Sequence, residues 1–268
     1  MVTQKLTEFA DLSVSLALRA GLATQLQRAK LPIAQDISNP DHLGMFILAM
    51  GKMGAHELNY SSDIDLICLF DDGLFETQDF FQARSAFINA TKKMTSLLSD
   101  LTEYGSVFRT DLRLRPNPAV TPACMGVEAA ERYYESLGRT WERAAFIKAR
   151  VAPGDSKVGA AFLSSMVPFV WRKHLDFTAI EDAHNMRLQI RHHKGLGGPI
   201  TISGHDMKLG RGGIREIEFF TQTRQLIAGG RDADLRVLGT QQGLSALAEK
   251  GWIEPPVAEV LSDHYRAH

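Results

Sequence analysis

A chain of 268 residues with 44% hydrophobic content is long enough to bury a core, either as one large domain or as two small ones. Thirty basic against 31 acidic residues leave a net charge of −1, which excludes a general electrostatic binder of nucleic acid or of a membrane surface. The two cysteines, Cys68 and Cys124, fit neither a disulfide framework nor a zinc spacing, no apolar run reaches the ~18 residues of a membrane span, and Met1 to Gln25 lacks a signal-peptide pattern, so a soluble cytoplasmic protein is expected.

Leu6, Phe9, Ala10, Leu16, Ala17 and Ala20 recur at helical spacing, with Ser13 completing the stripe and Glu8, Asp11, Ser15 and Arg19 opposite it. An amphipathic helix therefore opens the chain, and Pro32 and the cluster Ser38-Asn39-Pro40-Asp41 break it. Met45 to Met50 and Ile64 to Phe70 are short apolar runs bounded by glycine or charge, as neighbouring strands of a covered sheet are. From Asp79 to Leu101, apolar residues at steps of three and four predict a helix that Gly105 ends. Val107 to Pro116 alternates: Phe108, Thr110, Leu112 and Leu114 point one way, while Arg109, Asp111, Arg113 and Arg115 point the other. That pattern predicts a strand with one charged face.

From Gly126 onward the sequence reads as helical, over Val127 to Ser136, Trp141 to Ala149, Val158 to Trp171 and Phe177 to His193, with Pro168 kinking or shortening the third. Gly195 to Gly213 holds seven glycines and Pro199, a candidate for function or mobility, and the helix Ile214 to Ile227 follows it. The sequence ends within Leu261 to His268, a helical stretch without a closing glycine or proline, as expected of a truncated chain. His184, His192 and His193 belong to a basic solvated helix rather than to a metal site, since adjacent helical residues point apart. Trp141, Trp171, Phe162 and Phe169 are expected in the core, and Tyr133 and Tyr134 to be partly buried.

Asp63 and Asp65 stand two apart at the head of an apolar strand, so both carboxylates emerge on one face and can converge on a hard cation. A lone Asp-x-Asp more often caps a strand in solvent; here the context argues otherwise. Asp111, on the charged face of another strand, is the expected third ligand, and three carboxylates can hold one or two Mg²⁺ ions in a phosphoryl transfer. Gly51, Lys52 and Gly54 offer backbone amides able to approach a phosphate, and Ser61 and Ser62 add hydroxyls just before the carboxylates. Arg113 and Arg115 share the face of Asp111 and can neutralise a triphosphate or an attacking phosphate.

The stretch from Gly51-Lys52-Met53-Gly54 through Leu58-Asn59-Tyr60-Ser61-Ser62-Asp63-Ile64-Asp65-Leu66, followed by Arg109-Thr110-Asp111-Leu112-Arg113-Leu114-Arg115-Pro116, resembles the glutamine synthetase adenylyltransferase family. Trp141-Glu142-Arg143, Lys148-Ala149-Arg150 and Lys208-Leu209-Gly210-Arg211-Gly212-Gly213-Ile214-Arg215-Glu216-Ile217-Glu218-Phe219 extend the resemblance over nearly the whole chain.

That resemblance implies an α+β fold. A polymerase-β-like nucleotidyltransferase domain over 41–125 would follow an N-terminal helical segment over 1–40 and precede a helical domain over 126–268. It also implies Mg²⁺ held by Asp63, Asp65 and Asp111, and adenylylated glutamine synthetase as substrate. The two tyrosine-adenylyl activities of the family sit in related halves, and this chain is more similar to the half that removes AMP by phosphorolysis, with phosphate consumed and ADP formed. The opposite, ATP-dependent adenylylation and a non-catalytic nucleotide- or partner-binding module are the alternatives, and a PII-type signalling protein is an implied partner. Lys208, Arg211, Arg215, Glu216 and Glu218 are second-rank candidates as a lid or substrate contact, although carboxylates at a helix start also suit the helix dipole. The wider superfamily has Gly-Gly or Gly-Ser where this chain has Gly51-Lys52, which leaves Lys52 as a phosphate contact or a surface lysine.

Overall fold

The structure is a computed structural model that describes residues 2–28, 30, 31, 44–173, 188, 196 and 203–268. Pro32, the turn at 38–41, the helix expected over Phe177 to His193 with its three histidines, and most of 195–202 lie outside the described residues. The chain forms two compact units, Met1–Gly138 with Lys148–Val167, and Arg139–Ile147 with Pro168–His268.

The first unit is a mixed α/β layer structure. Its sheet contains β1 (Met45–Ala49), β2 (Ile64–Phe70), β3 (Thr110–Asp111), β4 (Cys124–Gly126) and β5 (Arg150–Gly154). β1 lies between β2 and β5 and is antiparallel to both. The other edge of β2 is shared in tandem by two short parallel strands, with Ile64 and Asp65 against β3 and Cys68 to Phe70 against β4. The apolar runs of β1 and β2 are almost wholly buried, as strands covered on both faces must be.

Helices α1 (Val2–Gln27) and α3 (Phe80–Ser99) pack against one another and over the sheet face that presents Met45, Ile47, Ile64, Leu66, Cys68 and Phe70. Alternation along the strands sends Phe46 to the other face, where it meets Phe162 of α6 (Ser156–Ser165) at 5.8 Å between ring centroids. Between β1 and β2 runs α2 (Gly51–Gly54), one short turn followed by a loop. α4 (Val127–Ser136) follows β4 over the residues its periodicity predicts.

Four expectations are corrected. The buried stripe of α1 is Thr7, Ala10, Val14, Ala17, Leu18, Gly21, Leu22 and Gln25, whereas Phe9 and Leu16 are half-exposed. Small residues decide this: a Cβ on Gly21 would lie 2.6 Å from the carbonyl oxygen of Ala90 in α3, an approach that Phe or Leu would forbid. Phe9 instead rests on Phe108, 5.7 Å between ring centroids. α3 ends at Ser99, before Gly105, which adopts φ +92° in a separate tight turn where Thr102 and Gly105 pair.

The charged strand of Val107 to Pro116 shrinks to Thr110–Asp111, because the Arg113 N–H turns back onto the Asp111 carboxylate. Residue 126 does not bound the sheet, since β5 adds a strand at Arg150–Gly154. Pro153 in that strand is tolerated because β5 is an edge.

The second unit contains α5 (Thr140–Phe146), α7 (Val167–Val170) from Pro168 on, α8 (Ile214–Ala228), α9 (Thr240–Glu249) and α10 (Pro255–Ala267). Pro168 stands in the first turn of α7, three residues after α6 ends, so the helix expected over Val158 to Trp171 is divided there. Ile217, Ala228, Leu235, Leu244, Leu247, Ile253 and Ala258 form this unit's apolar core. Arg143 is buried and donates to the carbonyls of Phe169 and Val170 at 3.0 and 3.2 Å; burial lowers its guanidinium to about 10. Phe162 and Phe169 are buried as expected, Tyr134 is fully buried, and Tyr133 is half-buried.

Candidate active site

β2 opens with Ile64, and the residues on either side of it point the same way, onto the face that α1 and α3 leave uncovered. β3 runs parallel beside this end in the register Ile64 with Thr110 and Asp65 with Asp111. The pairing is pinned from two sides: the Ile64 N–H donates to the Arg109 carbonyl at 2.9 Å, and the Ser99 hydroxyl of α3 bonds the Phe108 carbonyl and the Thr110 hydroxyl. Asp65 and Asp111 thereby stand side by side on adjacent strands, with Asp63 two residues before Asp65.

The turn after β1 completes this corner. The Met50 N–H donates to the Asp65 carbonyl at 2.9 Å, and Gly51 then adopts φ +55°, a conformation glycine takes without penalty. A Cβ on Gly51 would lie 2.6 Å from Asp65 Oδ2. The turn glycine is therefore required by the carboxylate it faces. Gly54 serves packing instead: it is buried, and a Cβ there would strike the Lys148 carbonyl at 1.8 Å. Lys52 is half-buried, Ser61 is exposed, and Ser62 donates its N–H to the Asn59 carbonyl in the turn before Asp63.

Arginines surround the carboxylates. Arg109 donates Nε to Asp63 Oδ1 at 2.5 Å and an Nη to the Ser61 carbonyl at 2.5 Å. Arg113 grips Asp111 through its backbone N–H at 2.8 Å and its guanidinium at 2.5 to 3.0 Å. The hydrogen bonds and charge of Arg113 outweigh partial burial and hold the Asp111 carboxyl below the usual range. Arg113 is raised in turn, first by its hydrogen bond to Asp111 and also by the charges of Asp65 and Asp63, so all three aspartates act on one guanidinium. Both ion pairs are largely solvated on the arginine side, and such pairs are weak enough for an incoming anion or cation to rearrange.

Arg115 acts on Asp111 through its charge, but its hydrogen bonds go elsewhere. Its guanidinium donates to the carbonyls of Leu112, Pro118 and Thr121 at 2.7, 2.9 and 3.1 Å and so ties the loop after β3 together. Arg109 takes the second arginine position at the corner. Its signal in the sequence is its place on the alternating charged face with Asp111.

Aspartate carboxylates are the hard oxygen donors that Mg²⁺ takes, and the Gly51 turn leaves room against Asp65, so the donor chemistry and strand placement suit that ion. In the side-chain positions described, Asp63 and Asp111 face Arg109 and Arg113, and no three His, Cys, Asp or Glu side chains among the described residues converge on one metal position.

The second-rank candidates lie in the other unit. Asp206 caps the turn before α8, accepting from the N–H groups of Lys208 and Leu209 at 2.8 Å, and these bonds lower its carboxyl. Glu216 accepts the Gly212 N–H at 2.8 Å, and Glu218 is buried and accepts from the Tyr265 hydroxyl at 3.3 Å. Lys208, Arg211 and Arg215 are exposed.

Among the described residues no helix is long and apolar enough to cross a membrane. Residues 1–165 match the family described as glutamate-ammonia ligase adenylyltransferase, and residues 183–268 match the GlnD PII-uridylyltransferase family. Three curated relatives are each named bifunctional glutamine synthetase adenylyltransferase/adenylyl-removing enzyme. The protein of Mesorhizobium japonicum is 48% identical over 99% of this chain and 27% of its own length. That of Bradyrhizobium sp. strain ORS 278 is 50% identical over 98% and 27%, and that of Rhizobium meliloti 48% over 97% and 26%. The chain thus spans about a quarter of the length of these relatives. With a family match over residues 1–165 and relatives aligned along nearly all of it, the chain belongs to the glutamate-ammonia ligase adenylyltransferase family.

Proposed function

We propose that the corner formed by Gly51, Asp63, Asp65 and Asp111 is a magnesium-dependent nucleotidyl-transfer centre on a polymerase-β-like sheet, and that it removes AMP from the adenylylated tyrosine of glutamine synthetase. The observation that carries this reading is the parallel register of Asp65 with Asp111 beside the Gly51 turn. It brings carboxylates from distant parts of the sequence to one open face. The removing direction is supported by the likeness of Leu58 to Asp65 and of Gly213 to Phe219 to the adenylyl-removing half of the family.

In this reading an oxygen of inorganic phosphate forms a bond to the phosphorus of the tyrosyl adenylate. The bond from that phosphorus to the tyrosyl oxygen breaks, tyrosinate leaves and takes up a proton from solvent, and ADP is released. Asp63, Asp65 and Asp111 would hold Mg²⁺, whose chemistry when bound is to neutralise charge on the transferring phosphoryl group. The backbone of Gly51 lies against Asp65 and, with that of Lys52, would line the phosphate side, with Ser61 and Ser62 offering hydroxyls before Asp63. Arg113 and Arg109 would exchange carboxylate partners for phosphate oxygens, an exchange their weak, solvated ion pairs permit. Arg115 supports the loop that carries Arg113. A cytoplasmic setting and a PII-type signalling partner belong to the same proposal; the second is supported by the match of residues 183–268 to the GlnD PII-uridylyltransferase family.

The test is to supply adenylylated glutamine synthetase, phosphate and Mg²⁺ and measure ADP, beside a parallel assay of AMP transfer from ATP onto unmodified glutamine synthetase. ADP formation by the chain supports removal. Transfer from ATP alone would assign the opposite direction to the same site, and nucleotide binding without turnover in either assay would make the chain a binding module.

A further inference from the structure

Behind the candidate site lies a buried basic segment that the proposed chemistry does not use. Antiparallel pairing of Ala49 with Arg150 carries the residue two places before Arg150 past the end of β1 and alongside α2. That residue, Lys148, is 3% exposed, a rare place for a lysine unless its ammonium is paired. Its ammonium meets the Glu57 carboxylate at 3.5 Å, and its carbonyl oxygen occupies the space that a Cβ on Gly54 would need.

Two residues on, Arg150 donates to the Met53 carbonyl at 3.2 Å and to both oxygens of Asp11 in α1 at 2.7 and 2.8 Å. Glu57 in turn donates its N–H to the Lys52 carbonyl at 2.8 Å, and the residue just before it, His56, is held at φ +59°. A non-glycine residue in the left-handed region persists where its surroundings over-determine the backbone. An apolar side chain of similar volume would fill the Lys148 position at lower electrostatic cost, so packing alone does not explain a buried ion pair there.

We propose that Lys148 is a positioning residue: its buried ammonium holds Glu57 and, with Arg150, grips α2 from behind, so that the Gly51 turn stays seated against Asp65. The inference rests on the reading of Gly51 and Asp65 as part of the transfer site. In this role Lys148 acts through Glu57 and the backbone of Lys52.

Hydrogen exchange tests the grip directly at the N–H groups of Gly54, Ala55 and Glu57, which donate to the carbonyls of Met50, Gly51 and Lys52. In K148M and E57A these amides should exchange roughly tenfold faster while those of α3 keep their rates; E57Q, whose amide oxygen still accepts from the ammonium, should change them less than about threefold. Titration with Mn²⁺ alone, followed by electron paramagnetic resonance, should show affinity roughly tenfold weaker in K148M and E57A and little altered in E57Q, a pattern that general destabilisation would not give. Unchanged exchange in both K148M and E57A overturns the proposal, as does equal acceleration in E57Q and E57A. If K148M does not fold, the E57Q and E57A pair decides the same question. Should D63N/D65N bind Mn²⁺ as tightly as the unsubstituted chain, the metal reading of the site falls, while the exchange rates still judge the grip.

Discussion

The head of β2 and the start of α8 both set carboxylates beside glycines and arginines, and the protein uses them differently. At β2, Asp63, Asp65 and Asp111 come from two strands onto one open face, and the groups they meet are exposed arginines and a glycine turn. At α8, Glu216 closes the helix by accepting the Gly212 N–H, and Glu218 is buried with Tyr265. In the first region the carboxylates are held by partners that can exchange. In the second they are committed to the fold. Proximity of like residues in sequence is therefore a poor guide to chemistry, and strand register, which collects residues 65 and 111, is a better one.

Substitutions can break or sharpen this contrast. D63N/D65N should lower phosphorolysis by about 10³-fold or more while leaving the unfolding midpoint nearly unchanged, since the carboxylates lie at a solvated strand end. A retained rate would erase the distinction between the regions. G51A should follow, with a rate about 10- to 100-fold lower: its methyl would press on Asp65 Oδ2, and the backbone at φ +55° costs a non-glycine residue about 1 kcal/mol.

At α8 the effect should appear in stability. E216A should cost about 1 kcal/mol in denaturant unfolding and E216Q, which keeps an acceptor oxygen, less. The smallest expected effect concerns pH. Arg113 lowers the folded-state pKa of Asp111, so the stabilisation is fully present above the ordinary carboxylate value of about 3.9 and is lost as pH falls through the lower folded value. R113M should move the Asp111 carboxyl resonance midpoint up toward that ordinary value and remove this acid-side contribution.

Much of the first unit is legible in the sequence, for reasons visible in single elements. β1 and β2 announce themselves as apolar runs, and α3 and α4 by their apolar period. The face of α1 is misread because Phe9 and Leu16 outweigh Ala10, Ala17 and Gly21 on any hydrophobicity count, whereas the close approach of α3 selects the small residues. β4 and β5 escape notice because one has three residues and the other contains Pro153, which reads as a breaker until its edge position is known. The three aspartates were nameable from spacing and alternation. The partition of the arginines was not: whether Arg115 faces the site or ties a loop depends on the turn at Asp111, which ends β3 after two residues.

The Asp65 and Asp111 register, with Asp63, is proposed to form a phosphate-handling centre. The most direct measurement is ADP release from adenylylated glutamine synthetase with phosphate and Mg²⁺, for the chain and for D63N/D65N at matched folded concentration. ADP is expected from the first and a loss of about 10³-fold in the second; equal rates from the two proteins would mean that these carboxylates do not handle phosphate.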